Sequence, residues 1–208
     1  MSEEQIPLDL LDPAAVRKRA RTVGIGAVMV AAAFGGLLGL LAGRTAGLVT
    51  AAVFAVPLLL LAWSEARRRV WLAGHVLSVR AFGTRSVDLH AADQVDLLVT
   101  DLRGSRTVGL LVRGGGKAIN LALAIYAGTG GREQGVFGLR KLADVLAGRG
   151  DAQGLVFADL LVAQLRAEAR GVAAADRPLY RLGSLAPTGR LAQKLNPDAV
   201  SRFVSTLD

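Results

Sequence analysis

Two apolar runs separated by three residues constrain the fold of this chain more than any other feature of its sequence. Residues 22–42 and 46–63 contain no charged side chain over 21 and 18 positions. As α-helices they would be roughly 31 and 27 Å long at about 1.5 Å per residue, close to the thickness of a bilayer's hydrocarbon core. The sequence therefore predicts a transmembrane α-hairpin, with two transmembrane helices, over residues 22–63.

Two other interpretations of these runs have less support. A cleaved signal peptide would also follow basic residues, but the first run is longer than a usual signal core and a second span follows at once. A soluble pair of helices would need a polar face, which neither run has. Pro57 in the second run predicts a bend in that helix, because the missing N–H of proline leaves the carbonyl of Val53 without its donor.

Basic residues on the outer flanks of the two runs predict the orientation. The turn between the runs carries one basic residue, Arg44, whereas the outer flanks carry seven. Both termini are therefore expected in the cytoplasm, with the chain crossing the membrane twice. The same seven residues are candidates for contact with anionic headgroups of the inner leaflet: Arg17, Lys18, Arg19, Arg21, Arg67, Arg68 and Arg69.

Small residues recur at every fourth position along each run, which allows two helix backbones to approach closely. The short turn makes the two helices neighbours, so packing within the hairpin is the first expectation and homo-oligomerisation through the same residues is the second. Neither span contains a charged residue or a histidine, so no transport role is expected. The candidate packing residues are Ala31, Gly35, Gly39, Gly43, Gly47 and Ala51.

The residues outside the hairpin are numerous enough for one soluble domain with its own core. The sequence has no cysteine, which excludes disulfides and thiolate chemistry and agrees with a domain in the reducing cytoplasm. The net charge is +8, but Lys and Arg are scattered with few aromatic residues between them. Nucleic acid is therefore not expected as a partner.

Changes in residue pattern divide the chain on both sides of the hairpin. Residues 1–21 are predicted to be a loose cytoplasmic lead followed by the basic start of a helix, with Asp12 as N-cap and Pro13 as first helical residue. From Val70, alternating apolar residues predict five or six antiparallel strands with one buried face. A helix over 139–146 closes this sheet, which gives an antiparallel α+β domain over residues 70–148.

The remaining residues are predicted to be helical with one flexible interruption. An extension over residues 149–171 contains a helix from about 157 to 170, and residues 172–208 form a linker followed by a short helix. The linker, 173–189, holds two prolines and few large apolar residues. The last helix has an apolar face that is expected to bind a protein partner or this chain's own domain: Val200, Phe203, Val204 and Leu207.

The order of elements resembles that of bacterial, actinobacterial-type membrane proteins with two spans and a PH-like cytoplasmic domain. The resemblance covers about residues 20–146 and implies a binding or scaffolding module, with no catalytic residues to carry over. The chain beyond residue 149 lies outside it. The segments that carry it are an opening hairpin (Val70–Gly74 and Val76–Phe82), a turn and strand (Gly83–Leu89), and a capping helix (Leu139–Leu146).

The sequence offers few candidates for chemistry. Asp88 and His90 share a strand face at a spacing that a metal could use, but that face is expected to meet solvent, and the nearby carboxylates of Asp93 and Asp96 do not complete a site. Residues 114–117 lack the spacing of a phosphate-binding loop and are interpreted as a basic hairpin tip that could touch headgroups. No metal and no cofactor are predicted.

These patterns favour a non-enzymatic, membrane-anchored binding or scaffolding protein. Its PH-like domain would recruit or brace a protein partner, or a second copy of the chain, at the inner leaflet, including as an accessory subunit of a membrane complex. The alternative is a membrane-bound enzyme with its site near the glycine-rich loop 127–135. An enzyme needs titratable groups gathered in a cleft, and the sequence disperses them.

Overall fold

A computed structural model describes residues 5–187, 189 and 191–207. The described residues form two compact units. The hairpin unit contains residues 11–69 and 80–83, and the sheet unit contains the described residues among 5–10, 70–79 and 84–207.

The hairpin unit consists of two long antiparallel helices. Helix α1 (Pro13–Ala42) begins where the sequence predicts, because the Asp12 carboxylate accepts a hydrogen bond of 2.9 Å from the backbone N–H of Ala14. Helix α2 (Arg44–Arg67) starts only one residue after α1 ends. That residue is Gly43, whose φ of 93° reverses the chain in a conformation that a side chain would strain. The turn is therefore shorter than the three residues predicted.

Both helices are long and apolar enough to cross a membrane, as judged by length and composition. In the most apolar stretch of 18 residues in each helix, only 17% of α1 and 6% of α2 is buried. A core helix of a soluble protein would bury most of such a stretch, whereas these helices expose large side chains such as Leu40, which is 88% exposed. Helix α2 continues through Pro57 without interruption.

The sheet unit contains two antiparallel sheets rather than the single meander of five or six strands that the sequence predicts. The first has the order β1-β2-β3-β4 and the second the order β8-β7-β6-β5-β9. Two of the strands, β1 and β9, have three and two residues, too few for alternation to be recognised. The strands are β1 (Gln5–Pro7), β2 (Arg69–Ala73), β3 (Val76–Arg80), β4 (Thr84–Asp88), β5 (Gln94–Leu102), β6 (Ser105–Gly114), β7 (Lys117–Ala127), β8 (Gly130–Glu133) and β9 (Gln193–Lys194).

The N-terminal lead is not loose, which corrects the prediction for residues 5–10. Strand β1 pairs antiparallel with β2, and Ile6 lies opposite Leu72. Ile6 and Leu8 are 6% and 2% exposed, so the segment contributes to the core. The buried side chain of Gln134 donates a hydrogen bond of 2.6 Å to the Leu8 carbonyl and satisfies that backbone group.

Three helices lie between β8 and β9 in the chain, and a fourth follows β9. Helix α3 (Val136–Ala147) occupies the predicted position and buries Leu139, Leu142 and Leu146, each at most 1% exposed. Helix α4 is longer than predicted because the Asp151 carboxylate caps it at its first turn. The other elements are α4 (Ala152–Ala169), a 3-10 turn (Ala174–Asp176), α5 (Pro178–Ser184) and α6 (Pro197–Val204).

The predicted linker over residues 173–189 is wrong for most of its length. Residues 178–184 form α5, whose Leu179 and Leu182 are completely buried. Pro178 does not break this helix, because proline is tolerated at the first helical position. The Gly183 backbone comes so close to β6 that a Cβ there would lie 3.0 Å from Cγ2 of Val108. Helix α5 therefore belongs to the core of the sheet unit.

The apolar face of α6 packs on this chain rather than remaining free. Val200 and Val204 are 1% and 9% exposed, and Phe203 and Leu207 are partly buried against the same core. Of the two docking expectations, self-docking is the one that the structure shows. The assignment of these four residues as a partner-binding surface is corrected accordingly, because Val200 and Val204 are covered by this chain's own core and Phe203 and Leu207 are partly covered by it.

Candidate functional site

The basic residues expected to meet headgroups lie at the open end of the hairpin, which we define as the end where α1 begins and α2 ends. All seven are exposed. The guanidinium of Arg67 lies 4.2 Å from the centre of the Trp63 ring, close enough for a cation–π contact. Arg17 and Arg21 are four residues apart on α1, so they share one face of that helix.

Phe82 joins this end of the hairpin and was not predicted. It lies in the turn between β3 and β4, is 66% exposed, and its ring centre is 6.2 Å from that of Trp63. The alternating pattern predicts Phe82 at the end of a strand. The signal that could have revealed its position is an aromatic residue directly before the turn glycine Gly83, with Arg80 two residues earlier. Exposed aromatic rings beside arginine are typical of membrane–water interfaces.

A groove of about 720 Å³ lies between α1 and α2 at the open end of the hairpin. The polarity of its lining residues changes along the helices. Apolar residues form the part nearer the Gly43 turn, whereas two arginines and a tryptophan lie nearer the open end. The principal lining residues are Arg17, Arg21, Gly24, Val56, Leu59 and Trp63.

The small-residue stripe lies where α1 and α2 approach most closely. A Cβ built on Gly35 would lie 2.6 Å from Cβ of Ala51, and one built on Gly47 would lie 2.6 Å from Cα of Gly39. Ala31 is 2% exposed on the same side of α1. Gly43 is the exception, since a Cβ there would meet nothing within 4 Å. Its role is to reverse the chain, and its assignment to helix packing is corrected.

The histidines form a cluster that the sequence did not reveal. The His75 ring stacks on the His90 ring with their centres 4.9 Å apart, and its Nε2 lies 3.3 Å from the Asp88 carboxylate. The His90 Nε2 lies 3.2 Å from the Val145 carbonyl of α3. Among the described residues, no three His, Cys, Asp or Glu side chains are placed to hold a metal ion. The cluster joins two strand ends to α3.

The other carboxylates near this cluster are dispersed. Asp93 is exposed, whereas Asp96 is 2% exposed and lies on β5. One oxygen of the Asp96 carboxylate is 2.7 Å from Nζ of Lys194 on β9. The charge of Asp96 is thus balanced by the last strand of the second sheet, away from the turn that holds His90.

The glycine-rich segment 127–135 is only partly a loop, because β8 occupies its middle and pairs with β7. The buried hydroxyl of Tyr126 donates a hydrogen bond of 2.6 Å to one oxygen of Glu133, and Arg177 pairs with the other. Burial, followed by the hydrogen bond to Glu133, raises the pKa of Tyr126 well above its usual value. Tyr180 of α5 contacts the Tyr126 ring edge-on at 5.0 Å. These groups anchor the C-terminal helices to β7 and β8.

The side chain of Arg149, which is 9% exposed, connects the turn after β4 to the start of α4. Its guanidinium donates to the Leu89 carbonyl at 2.6 Å and to the Asp151 carboxylate at 2.8 Å. Asp151 also accepts a hydrogen bond of 2.8 Å from the Gly154 N–H at the start of α4. The hydrogen bond from Arg149 is the main reason why the pKa of Asp151 is lowered.

Replacing Asp151 by Asn should lower the stability of the sheet unit by about 1 kcal/mol at pH 7, because Asn keeps the helix cap but not the charge that pairs with Arg149. A carboxylate whose pKa is lowered on folding stabilises the protein above its unfolded pKa of about 4, and this stabilisation is lost as pH falls through the folded pKa. The difference in unfolding temperature between the two proteins should therefore be present at pH 7 and shrink at pH 3. The exposed Asp159→Asn on α4 is the control, and an equal effect of both changes would contradict the prediction.

The open end of the hairpin is the candidate site that the described residues support best. It presents exposed basic and aromatic side chains beside a groove. In the sheet unit, the groups around Glu133, Arg149 and His75 are joined to one another by hydrogen bonds or ion pairs. The chain matches no protein-family model, no curated protein and no solved structure.

Proposed function

We propose that this chain is a non-enzymatic, membrane-anchored binding or scaffolding protein of a bacterial plasma membrane. Helices α1 and α2 span the membrane, and both termini lie in the cytoplasm. The observation that carries the proposal is the hairpin unit, which combines two exposed apolar helices with seven exposed basic residues at one end and Arg44 at the other.

A PH-like domain is the proposed identity of the sheet unit. Two features support it: the strands form two antiparallel sheets, and α3 follows the last strand of the main run with its apolar face in the core. The proposed domain departs from the simple pattern at both ends, because β1 joins the first sheet and helices α4 to α6 pack on the same core. Its proposed role is to recruit or brace a protein at the inner leaflet.

Binding is favoured over catalysis by the pairing of the ionisable groups. An active site needs titratable groups that converge on a cleft and remain available to a substrate. Around the segment 127–135, where the alternative of a membrane-bound enzyme would place its site, Tyr126 and Arg177 both bind the carboxylate of Glu133. That carboxylate is 9% exposed. These three groups are paired with one another, which supports a role in holding the fold together and not in converting a substrate.

Orientation is tested with reporter fusions. A phosphatase that is active only in the periplasm should be inactive when fused after Asp208 and active when fused after Arg44, in the turn of the hairpin. A fluorescent protein that folds only in the cytoplasm should give the opposite result. Phosphatase activity at the C-terminal fusion would overturn the proposed topology.

Partner recruitment is tested by purification in a mild detergent. The full chain should retain a protein in constant ratio, and a variant that ends after Arg69 should lose it, because the proposed binding module is the sheet unit. The same set of co-purifying proteins in both samples would contradict the scaffolding role. Turnover of a substrate by the purified full chain would favour the enzyme instead.

A further inference from the structure

The groove at the open end of the hairpin is polarised along the helix axes. A Cβ built on Gly24 would lie 3.7 Å from Cδ2 of Leu59, which places these two residues at one level. Arg21 and Arg17 lie three and seven residues nearer the open end, about 4.5 and 10 Å at 1.5 Å per residue. The groove therefore has an apolar half and a cationic half.

The cationic half is suited to a phosphate group. Arg17 and Arg21 line the groove from one face of α1, and each guanidinium is a rigid fork of N–H donors that matches phosphate oxygens. Trp63 lines the same half, and its ring is also contacted by Arg67, which does not itself line the groove. A single anion at this position would meet the two groove arginines.

The apolar half is suited to a hydrocarbon chain. Gly24, Val56, Leu59 and Leu60 line it without any group that donates or accepts a side-chain hydrogen bond. Gly24 forms part of the wall with no side chain, and a Cβ there would lie in ordinary van der Waals contact with Leu59, so a larger side chain would extend into the groove. A soluble phosphate would leave this half empty, and a neutral hydrocarbon would make no use of the arginines in the cationic half.

We propose that the groove binds one anionic glycerophospholipid, with its phosphate on Arg17 and Arg21 and one acyl chain along Gly24, Val56, Leu59 and Leu60. The inference rests on the proposed membrane anchoring and adds a site of defined stoichiometry to it. General attraction of basic residues to an anionic leaflet has no such stoichiometry, because each exposed cation contributes independently.

Native mass spectrometry of the full chain in detergent tests the site, with phosphatidylglycerol as the anionic lipid and phosphatidylcholine as the lipid without net charge. Phosphatidylglycerol should bind with saturation at one molecule per chain and at least tenfold more tightly than phosphatidylcholine. Equal binding of the two lipids, or binding that rises without saturation, would overturn the proposal. Glycerol phosphate should not displace the bound lipid, and displacement at equal concentration would show that the apolar half contributes nothing.

Two double variants with the same loss of charge separate the groove from the rest of the basic end. Arg17→Gln with Arg21→Gln should abolish the preference for phosphatidylglycerol, whereas Lys18→Gln with Arg19→Gln should leave it within about twofold, since neither Lys18 nor Arg19 lines the groove. Equal losses in both variants would show diffuse attraction only and overturn the site.

A third variant tests the acyl half without changing charge. Gly24→Leu should weaken binding of phosphatidylglycerol at least tenfold by filling the groove, and unchanged binding would contradict the assignment of the acyl chain. Fractionation with membranes shows whether a failure concerns the site or the anchor. A chain that stays in the membrane fraction without retaining lipid lacks only the groove site, whereas a chain in the soluble fraction lacks the anchor as well.

Discussion

Replacing Gly35 by leucine should force α1 and α2 apart and destabilise the hairpin by about 1 to 3 kcal/mol, the usual cost of overpacking. The Cβ of any side chain at this position would lie 2.8 Å from the carbonyl oxygen of Gly47 and 2.6 Å from Cβ of Ala51. The first of these atoms is backbone, so no side-chain rotation can relieve the clash. One helix must move.

The adjacent Gly36 provides a matched control, because it is exposed and a Cβ there would meet nothing within 4 Å. The measurement uses disulfide formation between cysteines introduced at Ala31 and Ala55, one helical turn beyond the Gly35 and Ala51 contact on each helix. The natural chain has no cysteine to interfere. Gly35→Leu should slow cross-linking and Gly36→Leu should not. Equal rates in both variants would mean that the stripe does not hold the helices together.

Replacing Leu182 by alanine should lower the free energy of unfolding of the sheet unit by about 2 to 5 kcal/mol, because this side chain is completely buried and its removal leaves a cavity. Leu185, three residues further along and 57% exposed, should change stability by less than about 0.5 kcal/mol when replaced in the same way.

Denaturant unfolding of the full chain, followed by the fluorescence of Trp71 in β2, provides the measurement. A Trp63→Phe background leaves Trp71 as the single tryptophan. If residues 173–189 were the linker that the sequence predicts, the Leu182 and Leu185 variants would unfold alike. Trypsin offers a second measurement, because Leu182→Ala should expose the chain beside Arg177 and Arg181 to cleavage.

The hairpin and α3 could be predicted because their signals are local. A run of 18 or more apolar residues predicts a helix long enough to cross a membrane, and α3 has twelve residues, enough for its apolar period to repeat. Asp12 followed by Pro13 marked the start of α1 for the same reason: the cap and the fixed φ act within one turn.

The elements that were missed depend on contacts distant in sequence. Helix α5 has only seven residues, about two turns, so Leu179 and Leu182 show no repeated period. The His75 and His90 rings stack on each other from two separate turns, and Phe82 reaches Trp63 from a turn nineteen residues later. Alternation and helical spacing act within one segment and hold no information about such pairs, which arise only when the tertiary structure forms.

The pairing of β1 with β2 makes the hairpin an insertion between two neighbouring strands of one sheet. During synthesis, β1 leaves the ribosome first but must wait for both helices before its partner strand exists. Completion of the first sheet therefore comes after the proposed insertion into the membrane. A chain whose two helices entered incorrectly, with their outer ends on opposite sides, could not pair Ile6 with Leu72. The proposed anchoring therefore predicts that the sheet acts as a check on insertion, because only a chain with both outer helix ends on one side of the membrane could bury Ile6 and Leu8.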